Sequence, residues 1–191
     1  MHTDDMRGVI LAGGRSTRMG VDKSFLTFGG TSLLRRAFDS VRPQVARMAI
    51  SSNVPAWRFD DFDAEIVPDR RMDVQGPLAG IDAALAQFPN EDLLVIAVDL
   101  PFIPVDLGVR LGRHGALCRF AVVQERHVLA LWLSARAHEP LRRYLDAGGR
   151  ALKGFLQRHG EPVSFDDPRL AFNLNTPADF GAALRLLKEP A

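Results

Sequence analysis

The sequence predicts a three-layer α/β domain with a mainly parallel central sheet, spread over all 191 residues as one unit. Three observations predict it. Short apolar runs alternate with stretches whose apolar residues recur at helical spacing, the pattern of strands joined by crossover helices. One run, Leu93-Leu94-Val95-Ile96-Ala97-Val98, is apolar without a break, as expected of a parallel strand covered on both faces. An earlier apolar run, Val9-Ile10-Leu11-Ala12, stops at Gly13-Gly14 and gives way to a loop carrying Arg15, Arg18 and Lys23. A chain of this length can build one proper core of this kind and not comfortably two.

In chain order, Arg7–Ala12 is the first strand and the glycine loop runs to about Asp22. Phe25–Phe28 is a short apolar piece ended by the turn residues Gly29-Gly30. Thr31 or Ser32 caps a helix whose inner face is Leu33, Leu34, Ala37, Phe38 and Val41, and Pro43 stops it. Arg47–Ser51 and Ala64–Val67 are strands, with Trp57–Asp63 a surface segment between them. Gly76-Pro77 opens a helix along Leu78, Ile81, Leu85 and Phe88, because proline at the first helical position wastes no N–H. The central strand follows, then a short helix over Val105–Leu111. Ala116–Gln124 and Val128–Leu133 form a hairpin joined by Glu125-Arg126-His127. Helices follow over Ala135–Ala147 and Ala151–His159, each stopped by glycine, and then a strand over Glu161–Phe165. In the closing helix Thr176 caps, Pro177 takes the first position and Asp179 sits in the first turn. No internal repeat, linker or low-complexity tract interrupts this order.

Totals exclude several classes. A net charge of +1 gives no electrostatic case for binding nucleic acid. No apolar run approaches the roughly 18 residues of a membrane helix, and the acidic start Met1-His2-Thr3-Asp4-Asp5 lacks the apolar region of a secretory signal. A reducing cytoplasm is the expected address. The lone Cys118 can form no internal disulfide and is expected in a buried strand. His2, His114, His127, His138 and His159 show no zinc-ligand spacing.

The glycine loop is the chemical signal. Glycine lets backbone N–H groups approach a ligand closely, and those dipoles with cationic side chains favour phosphate. The Walker pattern does not fit, since Gly14 and Gly20 are spaced one residue too far apart and Lys23 does not follow Gly20 directly. The dinucleotide fingerprint also fails for want of a third glycine in place. A second signal is Asp99, at the carboxyl end of the central strand and followed by Leu100-Pro101-Phe102-Ile103-Pro104. Ligands of open α/β sheets collect at that edge. A carboxylate there is placed to hold Mg2+, which takes one or two carboxylates and fills the rest with phosphate oxygens. The plainer reading of Asp99 is a turn cap, and its place on the same edge as the glycine loop favours the metal.

Leu11-Ala12-Gly13-Gly14, Arg18-Met19-Gly20 and Asp22-Lys23 together resemble the opening of the nucleotidyltransferases that activate sugar phosphates and cofactors. Three later stretches narrow the resemblance to the molybdenum cofactor guanylyltransferases. They are Gln75-Gly76-Pro77-Leu78-Ala79-Gly80-Ile81, Asp99-Leu100-Pro101-Phe102-Ile103-Pro104, and Asn173-Leu174-Asn175-Thr176-Pro177-Ala178-Asp179. The resemblance covers nearly the whole chain and implies a Rossmann-like nucleotidyltransferase fold. It implies a nucleotide-binding N-terminal half and an acceptor-binding C-terminal half. The implied reaction transfers GMP from GTP to the terminal phosphate of molybdenum-bound molybdopterin and releases pyrophosphate, with Mg2+ as cofactor. Molybdenum-insertion and molybdoenzyme-delivery proteins would be partners. The opening loop alone is shared with sister enzymes, a molybdopterin cytidylyltransferase or a sugar-phosphate nucleotidyltransferase.

Residue by residue, the resemblance implies that Leu11, Ala12, Gly13 and Gly14 cradle the nucleotide. Ser51 and Asn53 stand where the family carries asparagines at the nucleotide edge, Ser51 in place of the first. Asp69 and the Gly76-Pro77-Leu78 turn complete the base side. Read without the family, Ser51-Ser52-Asn53 is a plain turn and Asp69 a turn residue after Pro68. Arg18 and Lys23 would stabilise charge on the phosphates, Asp99 would hold the metal, and Asn175 would assist it or the acceptor. At His127 the family usually has a following proline; here Val128 follows.

Overall fold

The computed structural model describes residues 6–13, 23–112 and 115–188. The first strand, β1 (Met6–Leu11), is buried along its whole length. Its alternate residues face different cores: Met6 and Ile10 belong to one apolar layer, Val9 and Leu11 to the other. That period of two is what a strand's pleat imposes when both faces are covered.

After β1 the chain makes a one-turn 3-10 helix at Lys23–Phe25 and a two-residue hairpin, β2 (Thr27–Phe28) and β3 (Thr31–Ser32). Helix α1 (Leu33–Val41) follows, and Ser32 caps it by accepting from the Arg35 amide at 3.1 Å. Its buried residues are those the spacing predicted. On its other side Arg35 lies over the Phe62 ring and donates to the Asp61 carbonyl, so this face is more engaged than a solvated one.

Strands β4 (Arg47–Ser51) and β5 (Glu65–Val67) come next. The surface segment between them contains a 3-10 turn at Ala56–Phe59. Trp57 stands 70% exposed there while Phe59 is buried, a core residue that the mixed aromatic and acidic pattern concealed. Helix α2 (Pro77–Gln87) starts after Gly76, whose φ of +73° is glycine country. Nearly all of α2 is buried, which explains its weak one-sided pattern. Strand β6 (Asp92–Ala97) is the predicted central strand.

The short helix α3 covers only Leu107–Leu111. Strands β7 (Cys118–Val123) and β8 (Arg126–Leu133) form the hairpin. Its connection is Gln124-Glu125, not Glu125-Arg126-His127: both residues have positive φ, and Arg126 and His127 already pair with β7. A two-residue turn of this hand matches the twist of the strands. Helices α4 (His138–Asp146) and α5 (Leu152–His159), strand β9 (Gly160–Ser164) and helix α6 (Pro177–Lys188) complete the order.

The main sheet has the order β5-β4-β1-β6-β8-β7-β9. β8 alone runs antiparallel to its neighbours. One core layer joins the sheet to α1, α3 and α6 and contains Trp132; the other joins it to α2, α4 and α5. Fully burying each large apolar side chain contributes about 1.5–3 kcal/mol before entropy is counted. Among the described residues no helix is long and apolar enough to cross a membrane.

Candidate functional site

From β1 the chain crosses first to β4 and β5 on one side, and later to β6 on the other. The strand order therefore reverses between β1 and β6, and ligands of such sheets collect at the carboxyl ends of the strands there. Both sequence signals arrive at this point. β1 delivers Ala12 and Gly13, and β6 delivers Asp99.

The backbone fixes the geometry. The Ala12 amide donates to the Ser51 carbonyl at 2.9 Å and the Val98 amide to the Leu11 carbonyl at 3.3 Å, extending the strand pairings past their ends. Buried Ser24 donates from Oγ to the Ala12 carbonyl at 3.0 Å, which brings the neighbouring Lys23 back over the strand edge. Lys23 Nζ then donates to Asp99 Oδ2 and to Asn175 Oδ1, both at 2.8 Å. Asn175 is delivered by α6. The Leu174 amide donates to the Asp99 carbonyl at 3.1 Å, with the Leu174 side chain buried. Asp179 Oδ2 accepts from the Asn175 and Thr176 amides at 2.9 and 2.7 Å, and those two bonds hold its carboxyl below the usual range. The Thr-Pro-x-Asp cap thus aims an asparagine at a lysine.

Asp99 Oδ1 is buried and has no hydrogen-bond partner among the described residues. A buried carboxylate oxygen left without a donor is costly, and a cation supplied with the ligand would satisfy it. No group of three or more His, Cys, Asp or Glu side chains converges among the described residues. Asp99 with Asn175 fits a Mg2+ that takes the rest of its oxygens from phosphate and water.

Beside this triad, a small cleft is lined by Leu11, Gly13, Ser51, Asp69, Gly76, Pro77 and Gly80. Six of the seven were expected at the nucleotide. Gly80 was not singled out. A Cβ there would meet the Ser51 hydroxyl and come within 2.9 Å of Leu11 Cδ2, so glycine lets α2 lie this close to the strands. Asn53 and Asp69 hold each other: Asn53 Nδ2 donates to Asp69 Oδ2 at 2.7 Å, and the Asp69 amide donates to Asn53 Oδ1 at 2.8 Å. The Leu78 side chain is 1% exposed, packed in the core below the cleft, so it positions the turn and presents no side chain to the opening. Gly14 and Arg18 lie outside the described residues. Ser24 and Gly80 are what sequence reasoning missed, and their adjacency to Lys23 and to the Gly-Pro turn was the available signal.

A second opening of about 370 Å3 lies between β8 and α5, lined by Glu125, Arg126, His127, Val128, Leu129, Leu152, Lys153 and Leu156. Ile96 pairs with Ala130, so β8 residues before Ala130 run past the carboxyl end of β6, on the Asp99 edge. The His127 ring packs on Phe120 with centroids 4.8 Å apart. Cys118 is wholly buried and its thiol is pushed up to about 12 by that burial, so it is no nucleophile.

A family profile described as the MobA-like NTP transferase domain matches residues 8–163. The chain is 40% identical to a molybdenum cofactor guanylyltransferase of Acidiphilium cryptum, over 93% of each chain. It is 36% identical to one of Ralstonia nicotianae, over 93% of this chain and 95% of that one. Among solved structures, the molybdopterin-guanine dinucleotide biosynthesis protein A of Archaeoglobus fulgidus superposes with a TM-score of 0.75 at 22% identity, over 95% of this chain and 98% of that one. A 4-diphosphocytidyl-2C-methyl-D-erythritol synthase of Anaerococcus prevotii gives 0.77 at 10% identity, over 98% and 97%. At these identities the structural likeness bears on the fold alone.

Proposed function

The chain belongs to the MobA-like NTP transferase family, and from that premise we propose that it transfers GMP from GTP to the terminal phosphate of molybdenum-molybdopterin. The single observation that supports this reading best is the meeting of Lys23, Asp99 and Asn175 where the strand order reverses. A cation, a carboxylate with one unpartnered oxygen and an amide beside a cleft form a site for phosphate, not for an apolar ligand.

In this reaction a terminal phosphate oxygen of the acceptor attacks the α-phosphorus of GTP. A new P–O bond forms, the bond to the bridging oxygen breaks, and pyrophosphate carries away the electron pair. No protein nucleophile takes part, so the protein contributes positioning and charge neutralisation. The backbone at Ala12, Gly13 and Gly14 would cradle the phosphates. Lys23 and Arg18 offset charge on the α-phosphate and leaving group. Leu11, Ser51 and the Asn53–Asp69 pair shape the cleft with Gly76-Pro77. Mg2+, when bound, would neutralise phosphate charge, with Asp99 Oδ1 its oxygen on the protein and Asn175 a second donor. The groove beside α5 suits the acceptor: apolar Leu129, Leu152 and Leu156 accept a flat ring, and Arg126 and Lys153 attract its phosphate.

A thermal-shift panel of GTP, CTP, UTP and ATP with Mg2+, followed by pyrophosphate release on adding the acceptor, tests the proposal. GTP should protect best, and only GTP should release pyrophosphate. A preference for CTP would move the chain to a sister activity. Asp99→Asn should lower turnover by about 10²–10³-fold and abolish the Mg2+ dependence of GTP binding. An unchanged titration would remove Asp99 from the metal.

A further inference from the structure

The loop between β5 and α2, residues 68–76, forms one wall of the nucleotide cleft through Asp69 and Gly76. Its first residues are fixed by the reciprocal Asn53–Asp69 bonds, and its last by Val74, which is 3% exposed in the core. Between these anchors Met72 stands 97% exposed, and the two residues flanking it carry charge.

Those two flanking residues reach across to the turn joining α4 to α5. Arg71 Nη2 donates to Asp146 Oδ1 at 2.8 Å, and its Nε lies 3.4 Å from Asp73 Oδ1. Arg150 Nη2 donates to Asp73 Oδ2 at 3.0 Å. Arg150 is itself held, because its Nη1 donates to the Leu145 and Gly149 carbonyls at 2.7 and 2.8 Å. The charges alternate along the chain Asp146, Arg71, Asp73, Arg150. An isolated surface pair contributes little because two free side chains must be ordered to make it. Here the end of α4 already orders Arg150, and Asp73 and Arg71 each serve two partners, which lowers that cost.

We propose that Arg71 and Arg150 are positioning residues, and that this four-charge network is a latch clamping the nucleotide-cleft loop to the α4–α5 turn. The inference rests on reading the cleft as the nucleotide's. α5 starts two residues beyond Arg150 and lines the second groove with Leu152, Lys153 and Leu156, so the latch also joins the two openings. Screening by salt weakens exposed pairs, so the clamp loosens as ionic strength rises.

Two measurements on the full chain test this. Amide hydrogen exchange over 68–76 needs no ligand, and GTP titration with Mg2+ reads the cleft. Arg71→Met should speed exchange in the loop and weaken GTP by about three- to fivefold at low salt. It should change neither at about 0.5 M salt, where the wild type is already unlatched. Arg71→Lys, which keeps a cation beside both Asp146 and Asp73, should recover at least half of each effect at low salt and lose that recovery at about 0.5 M, a salt-dependent rescue that packing alone would not give. Unchanged exchange in Arg71→Met at low salt, or Arg71→Lys no better than Arg71→Met, overturns the latch. A wild type that binds no GTP overturns the reading of the cleft instead, and the ligand-free exchange data keep the two failures apart.

Discussion

In the proposed reaction, Lys23 is the residue on which the chemistry turns. Its ammonium makes 2.8 Å bonds to Asp99 and Asn175, and its side chain is 14% exposed. A phosphate entering here competes for a cation already aimed at the strand edge, so little reorganisation is needed as charge develops. Lys23→Ala should lower kcat by about 10²–10³-fold, the scale of removing one preorganised donor from a reacting oxyanion. It should cost stability only about 1–2 kcal/mol, below the 3–5 kcal/mol of a fully buried pair, because Asp99 keeps 16% exposure and can be partly rehydrated. Single-turnover rates and urea midpoints on the same preparation separate the two. Losses of equal free energy in both would make Lys23 a structural residue. Each member of the triad could be picked out from its motif, and the convergence of Lys23 with Asp99 was expected because the glycine loop and Asp99 both follow strands at the carboxyl edge, although spacing alone does not show it. Lys23 lies 76 positions from Asp99 and 152 from Asn175, and only the strand order closes those distances.

Elements were most legible where one local pattern decided them. β6 declared itself by six residues with nothing polar after the first, and α6 by a threonine, a proline and an acid in capping order. The β7–β8 hairpin was misread because its turn lacks the usual residues. Gln124 and Glu125 take φ of +47° and +64°, a conformation that normally selects Asn and Gly, so the polar run Glu125-Arg126-His127 drew attention instead. That mismatch makes a prediction. Left-handed backbone costs a residue with a side chain about 1 kcal/mol or more, which glycine avoids. Gln124→Asn with Glu125→Gly should therefore raise stability by about 1 kcal/mol, read as a higher urea midpoint at unchanged m-value. A fall in the midpoint would mean that the turn does not adopt this hand. The clamping of the 68–76 loop escaped notice for a different reason: its partners Asp146 and Arg150 lie on the far side of three strands in the sequence, and a charged loop looks the same whether or not it is clamped.

Across the whole molecule the two edges of the sheet divide the work. The carboxyl edge holds Lys23, Asp99 and both openings. At the amino edge Arg7, 3% exposed at the start of β1, donates to Glu65 at 2.7 Å, to both Glu91 oxygens at 2.9 and 3.1 Å, and to the Met48 carbonyl, and lies 3.8 Å above the Phe88 ring. One guanidinium thus ties β1 to the edge strand β5 and to the entry of β6, a planar fork doing what an ammonium could not. Hydrogen bonding from Arg7 holds the Glu91 carboxyl below its usual range. Its contribution to stability is therefore present above the ordinary glutamate value of about 4.3 and is lost as pH falls through the lower folded value. Arg7→Met keeps the apolar stem over Phe88 and removes the charge. It should cost about 2 kcal/mol, less than a sealed pair, because Glu65 is 55% exposed and can return to water. It should also flatten the acid limb of the stability curve while leaving the affinity of the folded protein for GTP unchanged. Lys23→Ala differs in losing turnover by about 10²–10³-fold, at a stability cost no larger than that of Arg7→Met. Urea melts between pH 3 and 7, paired with GTP titration, read both variants together. If Arg7→Met weakened GTP as much as it weakened the fold, the edges would be coupled through β1 and the division of work would fail.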